Sequence, residues 1–431
     1  MLDIQYIRDN KDLVKEKSQQ KGCDVDVAHL LSLDTKRKSL IQEIEAGRAK
    51  INLQTKSFEG KVPSEDQRAA VRTIKEEINL DEKSLATVDV DYWKLLKAVP
   101  NMPADDVPVG AGEDDNKVIK TVGKPPKFDF KAKDHWQIGS QKGWIDMRRA
   151  VKVAGARFTY LKGDLVKLQF ALWQFALDKL SDEKVLKEII DKNKLKVSSK
   201  PFVPVLPPAM ARTEIYESTG RLDKEEQTYK LEGDELWLNA SAEHTLAPMY
   251  SNEILNEADL PIRYIGSTTA FRREAGTYGK DMEGILRLHQ FDKLEMESFD
   301  LPEDSAQEHL LMIAIQEYLM QQLDLPYQVV LKCTAEIGGP NARGVDIEAW
   351  LPGQNRYRET HTADYITDYQ ARRMQTRVRR KNGTIQLVHN NDATAFSQRP
   401  LIAIIENNQT KDGDVVVPEV LRSYMGGRDK I

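Results

Sequence analysis

The strongest constraint on the fold is a row of apolar residues that recurs at alternating steps of three and four in the first quarter of the chain. The row consists of Val71, Ile74, Ile78, Leu85, Val88, Tyr92 and Leu95. Asp81 is its one interruption. This spacing is typical of a long helix that buries a narrow seam against another helix.

The preceding stretch is a suitable partner for that helix. Its apolar residues keep the same register at Leu33, Leu40, Ile44 and Ile51. Arg37 and Gly47 interrupt the register, and Gly60 and Pro63 supply turn residues between the two stretches. We therefore expect an antiparallel two-helix coiled-coil arm between about Leu30 and Val99, with a parallel zipper as the alternative.

Basic residues are concentrated on the first of these helices. They are Lys36, Arg37, Lys38, Arg48, Lys50 and Lys56, and they outnumber the acidic residues Glu43 and Glu45. The formal net charge of -5 argues against a protein whose whole surface binds nucleic acid. Any RNA contact must therefore be local, and an ordinary solvated helix face is the alternative reading of the basic run.

The chain is long enough for two domains, since 431 residues exceed one typical core. Residues 100–127 are rich in proline, glycine and aspartate, which is typical of a connection between domains. We divide the chain into a helical arm over 1–105, a linker over 106–127 and a second domain over 128–431.

The second domain reads as an α+β fold. Its pattern predicts one helix near Gly163–Lys179 and another near Glu183–Lys192. Short strands follow from about Pro201, mostly with no helix between them, which favours an antiparallel sheet flanked by helices.

Composition excludes several classes of protein. No window approaches the roughly 20 apolar residues of a membrane span, and the first residues are charged, which predicts a cytoplasmic protein with no membrane partner. Cys23 and Cys333 form neither a disulfide framework nor a zinc pattern, so we expect reduced thiols and no zinc site. No GxGxxG or GxxxxGKS sequence indicates a Rossmann or P-loop nucleotide site.

The segment from Phe271 to Phe299, FRREAGTYGKDMEGILRLHQFDKLEMESF, has the groups of a different nucleotide site. Its alternation predicts a strand over Tyr264–Arg273, a loop over Gly276–Gly284 and a returning strand over Ile285–Met296.

Three side chains of this hairpin suit a nucleotide. Arg272 is suited to a phosphate, Glu274 to an exocyclic amine, and Phe291 to the face of a base. A solvated charged hairpin is the alternative.

The pattern FRxEAG, a loop and then RxHQFxKxE is similar to motif 2 of class II aminoacyl-tRNA synthetases, and in this form it resembles the seryl-tRNA synthetase family. Similar segments follow the same order along the chain: MLDIQYIRDN, RFTYLKGDLVKLQFAL, VLPPAM and ENNQTKDGDVVVPEVLRSYMGG. The resemblance implies an N-terminal tRNA-binding arm, a class II catalytic domain and a homodimer formed through motif 1. Motif 1 is KPFVPVLPPAM here, with Pro208 at its proline and with Pro201 and Phe202 where the family has a glycine-aromatic start.

The resemblance also implies an activity: ATP-dependent activation of L-serine to seryl-adenylate and its transfer to the 3′ end of tRNA(Ser), with Mg²⁺. Its catalytic residues would be Arg272 at the α-phosphate and substrate carboxylate, Glu359 at the magnesium position, and Arg399 at the γ-phosphate. The residues implied to bind ATP are Arg272, Arg273, Glu274, Leu288, Phe291, Glu359, Thr360, His361, Thr362 and Arg399. His361 reads as a polar packing residue rather than a metal ligand, because no second histidine or cysteine lies at ligand spacing.

The implied amino-acid pocket departs from the family pattern. It would consist of Ser241, Ala242, Glu243, Glu295 and Ala393. Ser241 and Thr362 replace the usual residues, and the familiar NGS is Asn391, Asp392 and Ala393, so the position that should offer a hydroxyl has none. Either Thr394 supplies the hydroxyl after a shift of one residue, or Ala393 only shapes the pocket.

These departures leave alternatives open. The chain could be a paralogue that activates another small amino acid or charges a non-tRNA acceptor. A non-catalytic tRNA-binding paralogue is the third reading.

Overall fold

Two separately folded units make up the protein, Met1–Met102 and Pro103–Ile431. The computed structural model describes residues 1–58, 60, 62–222, 227–274 and 283–431. No helix in those ranges is both long and apolar enough to cross a membrane.

The first unit is helical. Its helices are α1 (Ile4–Asp9), α2 (Lys11–Gln20), α3 (Val27–Ser57) and α4 (Glu65–Ala98). Side-chain caps define where the long helices begin: Asp26 accepts from the backbone of His29, and Ser64 forms a capping box with Gln67. Helices α3 and α4 pack on each other as the predicted antiparallel arm.

Both interruptions of the apolar register have a structural reason. Arg37 pairs across the arm with Asp89 at 2.6 Å, and its guanidinium lies 5.3 Å from the ring centroid of Tyr92. A Cβ at Gly47 would lie 2.9 Å from a side-chain carbon of Ile78, so the two helices approach closely where glycine stands. The breaks in the pattern are therefore contacts between α3 and α4.

The second unit contains nine helices among its described residues. They are α5 (His135–Gln141), α6 (Met147–Ala154), α7 (Asp164–Leu180), α8 (Glu183–Asn193), α9 (Thr213–Ser218), α10 (Glu243–Leu246), α11 (Ser305–Gln322), α12 (Tyr369–Met374) and α13 (Arg399–Asn407). The predicted helices near Gly163–Lys179 and Glu183–Lys192 are confirmed as α7 and α8.

Its strands build one large sheet and three small ones. They are β1 (Lys117–Val122), β2 (Ile145–Asp146), β3 (Tyr160–Leu161), β4 (Val203–Val205), β5 (Met210–Arg212), β6 (Leu236–Leu238), β7 (Ile254–Asn256), β8 (Ile262–Phe271), β9 (Gln290–Asp300), β10 (Tyr327–Leu331), β11 (Arg343–Leu351), β12 (Arg356–Thr367), β13 (Arg377–Arg379), β14 (Ile385–Leu387) and β15 (His389–Ser397). The large sheet has the order β1-β10-β11-β12-β15-β9-β8-β4. All of its pairs are antiparallel except β4 with β8, which confirms the predicted α+β fold on an antiparallel sheet.

Two sequence predictions differ from the structure. Residues 106–127, predicted to be a linker, contain β1, which pairs with β10 at the edge of the sheet. Because proline, glycine and aspartate surround this short strand, composition alone predicts a linker there.

The returning strand of the hairpin begins at Gln290, not at Ile285, because the backbone of Ile285 donates to His135 outside the sheet. Residues 276–282 of the predicted loop Gly276–Gly284 lie outside the described residues.

One helix holds two central strands together. Gln316 of α11 is fully buried, and its amide nitrogen donates to the carbonyl of Thr362 on β12 at 2.7 Å and to that of Thr394 on β15 at 2.9 Å. Carbonyl groups at these points would otherwise lose part of their hydrogen bonding in the core. The helix thereby fixes the two strands at the residues that face the cavity described next.

Candidate active site

A cavity of about 600 Å³ lies over the centre of the large sheet. Its floor comes from alternate residues of β9, β12 and β15, since successive side chains of a strand point to opposite faces. The polar residues that line it include Arg221, Ser241, Glu243, Arg272, Glu274, Lys293, Glu295, Lys332, Glu359, Thr360, Thr362, Asp364, Asp392, Thr394 and Arg399. The cavity thus combines many charges of both signs in one partly enclosed space.

Arg272 follows β8 and extends the hairpin with β9. Its backbone nitrogen donates to the carbonyl of His289 at 2.8 Å, and its side chain donates to the carbonyl of Ala240 at 3.2 Å. The guanidinium lies 5.2 Å from the ring centroid of Phe291. The predicted phosphate ligand and the predicted base-stacking ring therefore occupy one end of the cavity in direct contact.

Glu274 has a positive φ of 50°, an uncommon conformation for a residue with a side chain. Its carboxylate pairs with Arg287 at 3.0 Å, and its carbonyl accepts from Arg157 at 3.3 Å. Leu288 lines the cavity beside it and is buried. This wall presents a fixed carboxylate next to an apolar surface, as the edge and face of a base require.

Glu359 on β12 and Arg399 at the start of α13 form a charged pair on the cavity wall. Nη1 of Arg399 lies 3.1 Å from Oε2 of Glu359 and donates to the Glu359 carbonyl at 2.9 Å. Burial alone would raise the pKa of Glu359, but Arg399 and then Lys332 outweigh it and lower this pKa to about 2. The carboxylate is therefore ionised at all physiological pH values.

The opposite end of the cavity is built around Glu295 on β9. Its carboxylate accepts from Lys293, from the Ser241 hydroxyl and, at 3.1 Å, from the backbone nitrogen of Glu243. Burial raises the pKa of Glu295, but the Lys293 ammonium outweighs it, and the pKa lies below its ordinary value. A fully buried, ionised carboxylate with donors on both oxygens is a rigid recognition group.

A second buried cluster adjoins it. The guanidinium of Arg221 lies 2.9 Å from Glu243, 3.4 Å from Asp392 and 3.5 Å from Asp364. Burial raises the pKa of Glu243 above its ordinary value, and Arg221 opposes that rise. Burial, followed by the charges of Glu243 and Asp364, raises the pKa of Asp392 well above its ordinary value. The cluster therefore carries more acidic groups than its one cation balances.

The register of β15 decides which of its residues face the cavity. Thr394 lies opposite Glu295 and Asp392 lies opposite Glu297, while the pairing shifts by one residue between Thr394 and Phe396. Asp392 and Thr394 line the cavity, and Ala393 points to the other face, where it is fully buried in the apolar core. The prediction that Ala393 belongs to the pocket is therefore corrected: the hydroxyl at this place belongs to Thr394.

Three more predicted residues lie outside the cavity wall in the part of the chain that the structure describes. Arg273 lies over the ring of Tyr229 at 5.8 Å. Ala242 is fully buried before α10. His361 is buried, binds Thr360 through Nδ1 at 2.8 Å, and has its pKa lowered by burial to about 3, so it is a neutral packing residue.

The structure also adds residues that the motifs did not single out. Lys293 lies two positions before Glu295 on β9, so strand alternation was the signal that could have found it. Asp364 and Lys332 enter the cavity from neighbouring strands or strand ends, and only the sheet order brings them there. Arg221 comes from the loop after α9, and no spacing in the sequence indicates it.

The fold and this cavity define a class of protein. Residues 227–408 match the family described as tRNA synthetase class II core domain (G, H, P, S and T), and residues 1–103 match the seryl-tRNA synthetase N-terminal domain. A prolyl-tRNA synthetase of Giardia lamblia, in complex with prolyl-adenylate, has a TM-score of 0.55 at 13% identity over 67% of this chain and 56% of that one, a likeness of fold alone. The second unit is a class II aminoacyl-tRNA synthetase domain.

Full-length relatives narrow that class. The serine–tRNA ligase of Syntrophotalea carbinolica is 38% identical over 438 residues, which cover 100% of both chains. The seryl-tRNA synthetase of Pyrococcus horikoshii, solved in complex with ATP, has a TM-score of 0.88 at 36% identity and covers 100% of this chain and 99% of that one. The cytoplasmic serine–tRNA ligase of Naegleria fowleri, solved with AMP, has a TM-score of 0.83 at 29% identity and covers 100% and 98%. The chain belongs to the seryl-tRNA synthetase family.

Proposed function

We propose that this chain is a serine–tRNA ligase: it activates L-serine with ATP to seryl-adenylate and transfers the serine to the 3′ end of tRNA(Ser), releasing pyrophosphate and AMP. One observation carries the proposal. A single cavity joins a phosphate-binding end, with Arg272 and Arg399, to an amino-acid end, with Glu243 and Glu295. The full-length relatives named serine–tRNA ligase support the same reaction.

In the activation step the serine carboxylate attacks the α-phosphorus of ATP, and pyrophosphate leaves. No protein nucleophile is needed, so the site acts by alignment and by neutralising charge. Arg272 offers the fork of donors that can hold an α-phosphate oxygen and the attacking carboxylate together. Arg399 is the cation for the γ-phosphate, and Phe291 offers its face to the adenine.

Magnesium fits the donor set at Glu359. An ionised carboxylate is the hard oxygen ligand that Mg²⁺ prefers, and the Thr362 hydroxyl lines the cavity on the same strand. When bound, Mg²⁺ would neutralise phosphate charge as pyrophosphate leaves. Glu359 would hold the ion, and Arg399 would turn from Glu359 to the phosphate.

The amino-acid end suits serine. Glu243 is the acceptor for the substrate ammonium, while Glu295 and Thr394 can pair with the substrate hydroxyl. Alanine and glycine have no hydroxyl to pair with these groups, so they would bind without that hydrogen bond. Threonine would be rejected mainly by the size of its extra methyl group.

The helical arm supplies the tRNA contact. Arg37 and Arg48 are already paired with Asp89 and Glu82 of α4. We assign three exposed basic residues of α3 to the phosphate contacts: Lys36, Lys50 and Lys56. Reversing these three charges to glutamate should raise the KM for tRNA(Ser) at least about tenfold, because each lost phosphate contact weakens binding.

That test has an internal control. Serine-dependent pyrophosphate exchange by the triple variant should equal that of the unmodified enzyme, since the arm takes no part in activation. The same reversal at Lys11, Lys15 and Lys17 of α2 should leave tRNA(Ser) charging unchanged. Equal effects of the two triple variants on charging would refute the arm assignment.

The activity itself is tested with a substrate panel. Pyrophosphate exchange is measured with serine, threonine, alanine, glycine and cysteine, and then charging of tRNA(Ser) is measured with serine. Exchange with serine alone, followed by charging, is the expected result. Exchange with another amino acid but not with serine would refute the specificity, and exchange without charging would indicate a different acceptor.

We also propose that the protein acts in the cytoplasm as a homodimer. The motif 1 segment supports the dimer: β4 lies at the edge of the large sheet, and Val203, Leu206 and Met210 are 52%, 86% and 41% exposed. Leu206→Asp should convert the dimer to a monomer in sedimentation analysis. A monomeric unmodified protein would overturn this part of the proposal.

A further inference from the structure

Arg221 occupies a place in the cavity that no sequence motif marks. It follows α9, its side chain is 17% exposed, and it lines the amino-acid end of the cavity. Its Nε donates to Oε1 of Glu243 at 2.9 Å. Its Nη2 lies 3.4 Å from Asp392 and 3.5 Å from Asp364, so one cation joins carboxylates from α10, β15 and β12.

The surrounding backbone fixes this guanidinium. A Cβ at Gly338 would lie 2.8 Å from Nη1 of Arg221, so the side chain packs against bare backbone there. The backbone nitrogen of Arg221 donates to the Thr219 hydroxyl at 3.3 Å, and the preceding Gly220 has a φ of +72°. The local backbone therefore places the Arg221 guanidinium against the three carboxylates.

The side-chain hydrogen bonds to the Glu243 carboxylate fall on one of its two oxygens. Arg221 and Gln370 both donate to Oε1 of this carboxylate, at 2.9 and 2.6 Å. These bonds leave Oε2 for a further donor. Two donors on one oxygen also lock the rotation of the carboxylate, which a single ammonium ligand would not do.

The charges make the arginine necessary. Glu295 has its own cation in Lys293, whereas Glu243, Asp364 and Asp392 share Arg221. Without the guanidinium, Glu243, Asp364 and Asp392 would lose the one cation that pairs with all three of them, and proton uptake would relieve the repulsion between these buried groups. A protonated Glu243 can no longer attract an ammonium group by charge.

We propose that Arg221 is a positioning residue for the amino-acid substrate, holding Glu243 in one orientation with its charge available to the substrate ammonium. The inference rests on the proposed function, because it assigns that ammonium to Glu243. Arg221 acts through Glu243, so its loss weakens serine binding and leaves ATP binding unchanged.

The experiment compares Arg221→Met and Arg221→Lys with a matched control, Arg343→Met. Arg343 is 15% exposed and pairs with Asp106 at 2.8 Å. The readouts are kcat and the separate KM values for serine and ATP in pyrophosphate exchange. We expect Arg221→Met to raise the serine KM about tenfold or more, as for loss of a charged hydrogen bond. The ATP KM should stay within about twofold.

The other two variants show how much of the effect on the serine KM comes from the charge of Arg221 and how much from the shape of its guanidinium. Arg221→Lys retains one charge but not the fork, so the serine KM should fall between those of the unmodified enzyme and Arg221→Met. Arg343→Met should leave both KM values unchanged. In a Glu243→Gln background, Arg221→Met should add little further loss, because both changes remove the same contact.

The pH profile gives an independent readout. The charged groups that act on Glu243 are Arg221, Glu295, Glu297 and Asp392. Arg221 is the cation among them and opposes protonation of Glu243, as does the hydrogen bond from Gln370. In Arg221→Met, the serine KM should therefore fall as the pH rises and Glu243 regains its charge, while the ATP KM does not change. Thermal unfolding checks that each variant is folded, and if Arg221→Met is not, Arg221→Lys carries the comparison.

Two results would overturn the inference with the proposed function intact. One is a serine KM within about twofold of the unmodified enzyme in Arg221→Met. The other is an equal rise of the serine and ATP KM values, which indicates a general structural defect. If the unmodified enzyme shows no serine-dependent exchange, the proposed function fails instead.

Discussion

Arg399 and Glu359 pair with each other at 3.1 Å across 40 residues of sequence, and each is the group that the other's ligand will displace. In the absence of ATP, the cation for a phosphate and the carboxylate for its metal ion neutralise one another. The site thus holds both charges without leaving either one unpaired, which would be costly in a partly enclosed cavity. Under the proposed function, ATP and magnesium would replace this internal pair with two pairs between protein and ligand.

Glu359→Gln should lower kcat for pyrophosphate exchange by about 10² or more, because the amide cannot hold a divalent cation as a carboxylate does. The variant should also need a higher magnesium concentration for half-maximal rate. A titration of exchange rate against magnesium measures both effects. Glu303→Gln, which breaks an exposed pair with Arg380, is the control and should match the unmodified enzyme.

Arg272→Lys should lower kcat/KM for exchange by about 10² to 10³, since a lysine cannot hold two oxygens with one planar group. The neighbouring Arg273→Lys serves as the control, because its side chain lies over Tyr229 and not in the cavity. Steady-state exchange kinetics on both variants provide the comparison. A similar loss in both would show that the two arginines are not separated in function as their positions indicate.

Thr394→Val removes the hydroxyl that β15 places opposite Glu295 in the cavity. It should raise the serine KM at least about tenfold and reduce the preference for serine over alanine. Ala393→Ser adds a hydroxyl to the opposite, buried face. It should leave the serine KM unchanged and lower the free energy of unfolding by about 1–3 kcal/mol. Exchange kinetics and denaturant unfolding distinguish the two; the reverse pattern would mean that the register is wrong.

Arg263→Met should destabilise the protein by about 3–5 kcal/mol, because it leaves Glu308 as a buried carboxylate without its cation. Arg263 is fully buried and binds both oxygens of Glu308, at 2.7 and 3.0 Å. Arg380→Met, which removes two partly exposed pairs, with Glu303 and Glu257, should change stability by less than about 1 kcal/mol. Urea unfolding monitored by fluorescence measures the difference.

Acid should destabilise the fold in part through His309. Burial lowers the pKa of this histidine from 6.5 to about 4, and its Nε2 lies 3.1 Å from the carbonyl oxygen of Ala363. The unfolded chain therefore binds the proton more readily, so the stabilisation is complete above pH 6.5 and is lost as the pH falls towards 4. Near pH 5 the loss is about 2 kcal/mol by linkage.

His309→Gln should remove that share of the pH dependence. Unfolding free energies near pH 7.5 and near pH 5 should differ by about 2 kcal/mol less in this variant than in the unmodified protein. His29→Gln, at an exposed histidine, should retain the full difference. If His309→Gln has the same pH dependence as the unmodified protein, His309 does not cause it.

Local pattern was sufficient to predict much of the fold. The long helices of the arm, α7 and α8 were predicted because apolar residues recur along each of them at helical spacing and polar residues mark where it ends. Strand β1 was missed because its pairing partner is more than two hundred residues away, so nothing in its neighbourhood distinguishes it from a linker. Whether a segment joins a sheet depends on partners far away in the sequence, so local composition cannot predict it.

The site residues also fall into those that the sequence could identify and those that it could not. Arg272, Glu359 and Arg399 were identified from motif resemblance, and the structure brings them to one cavity. Ala393 was misassigned because successive residues of β15 point to opposite faces, so Asp392 and Thr394 face the cavity while Ala393 lies in the core. Arg221 had no motif at all, since its role depends on three carboxylates that meet only in the folded chain.

The buried amide of Gln316 has a consequence for the reaction coordinate. Attack of a carboxylate on phosphorus requires the two reacting atoms to start about 3–3.5 Å apart and in line. Gln316 binds the backbone of β12 beneath the triphosphate side and that of β15 beneath the serine side. Under the proposed function, Gln316 therefore adds to the direct pairing of β12 with β15 in fixing the spacing of the two reactants, and a small displacement of α11 would slow the chemical step while both substrates remained bound.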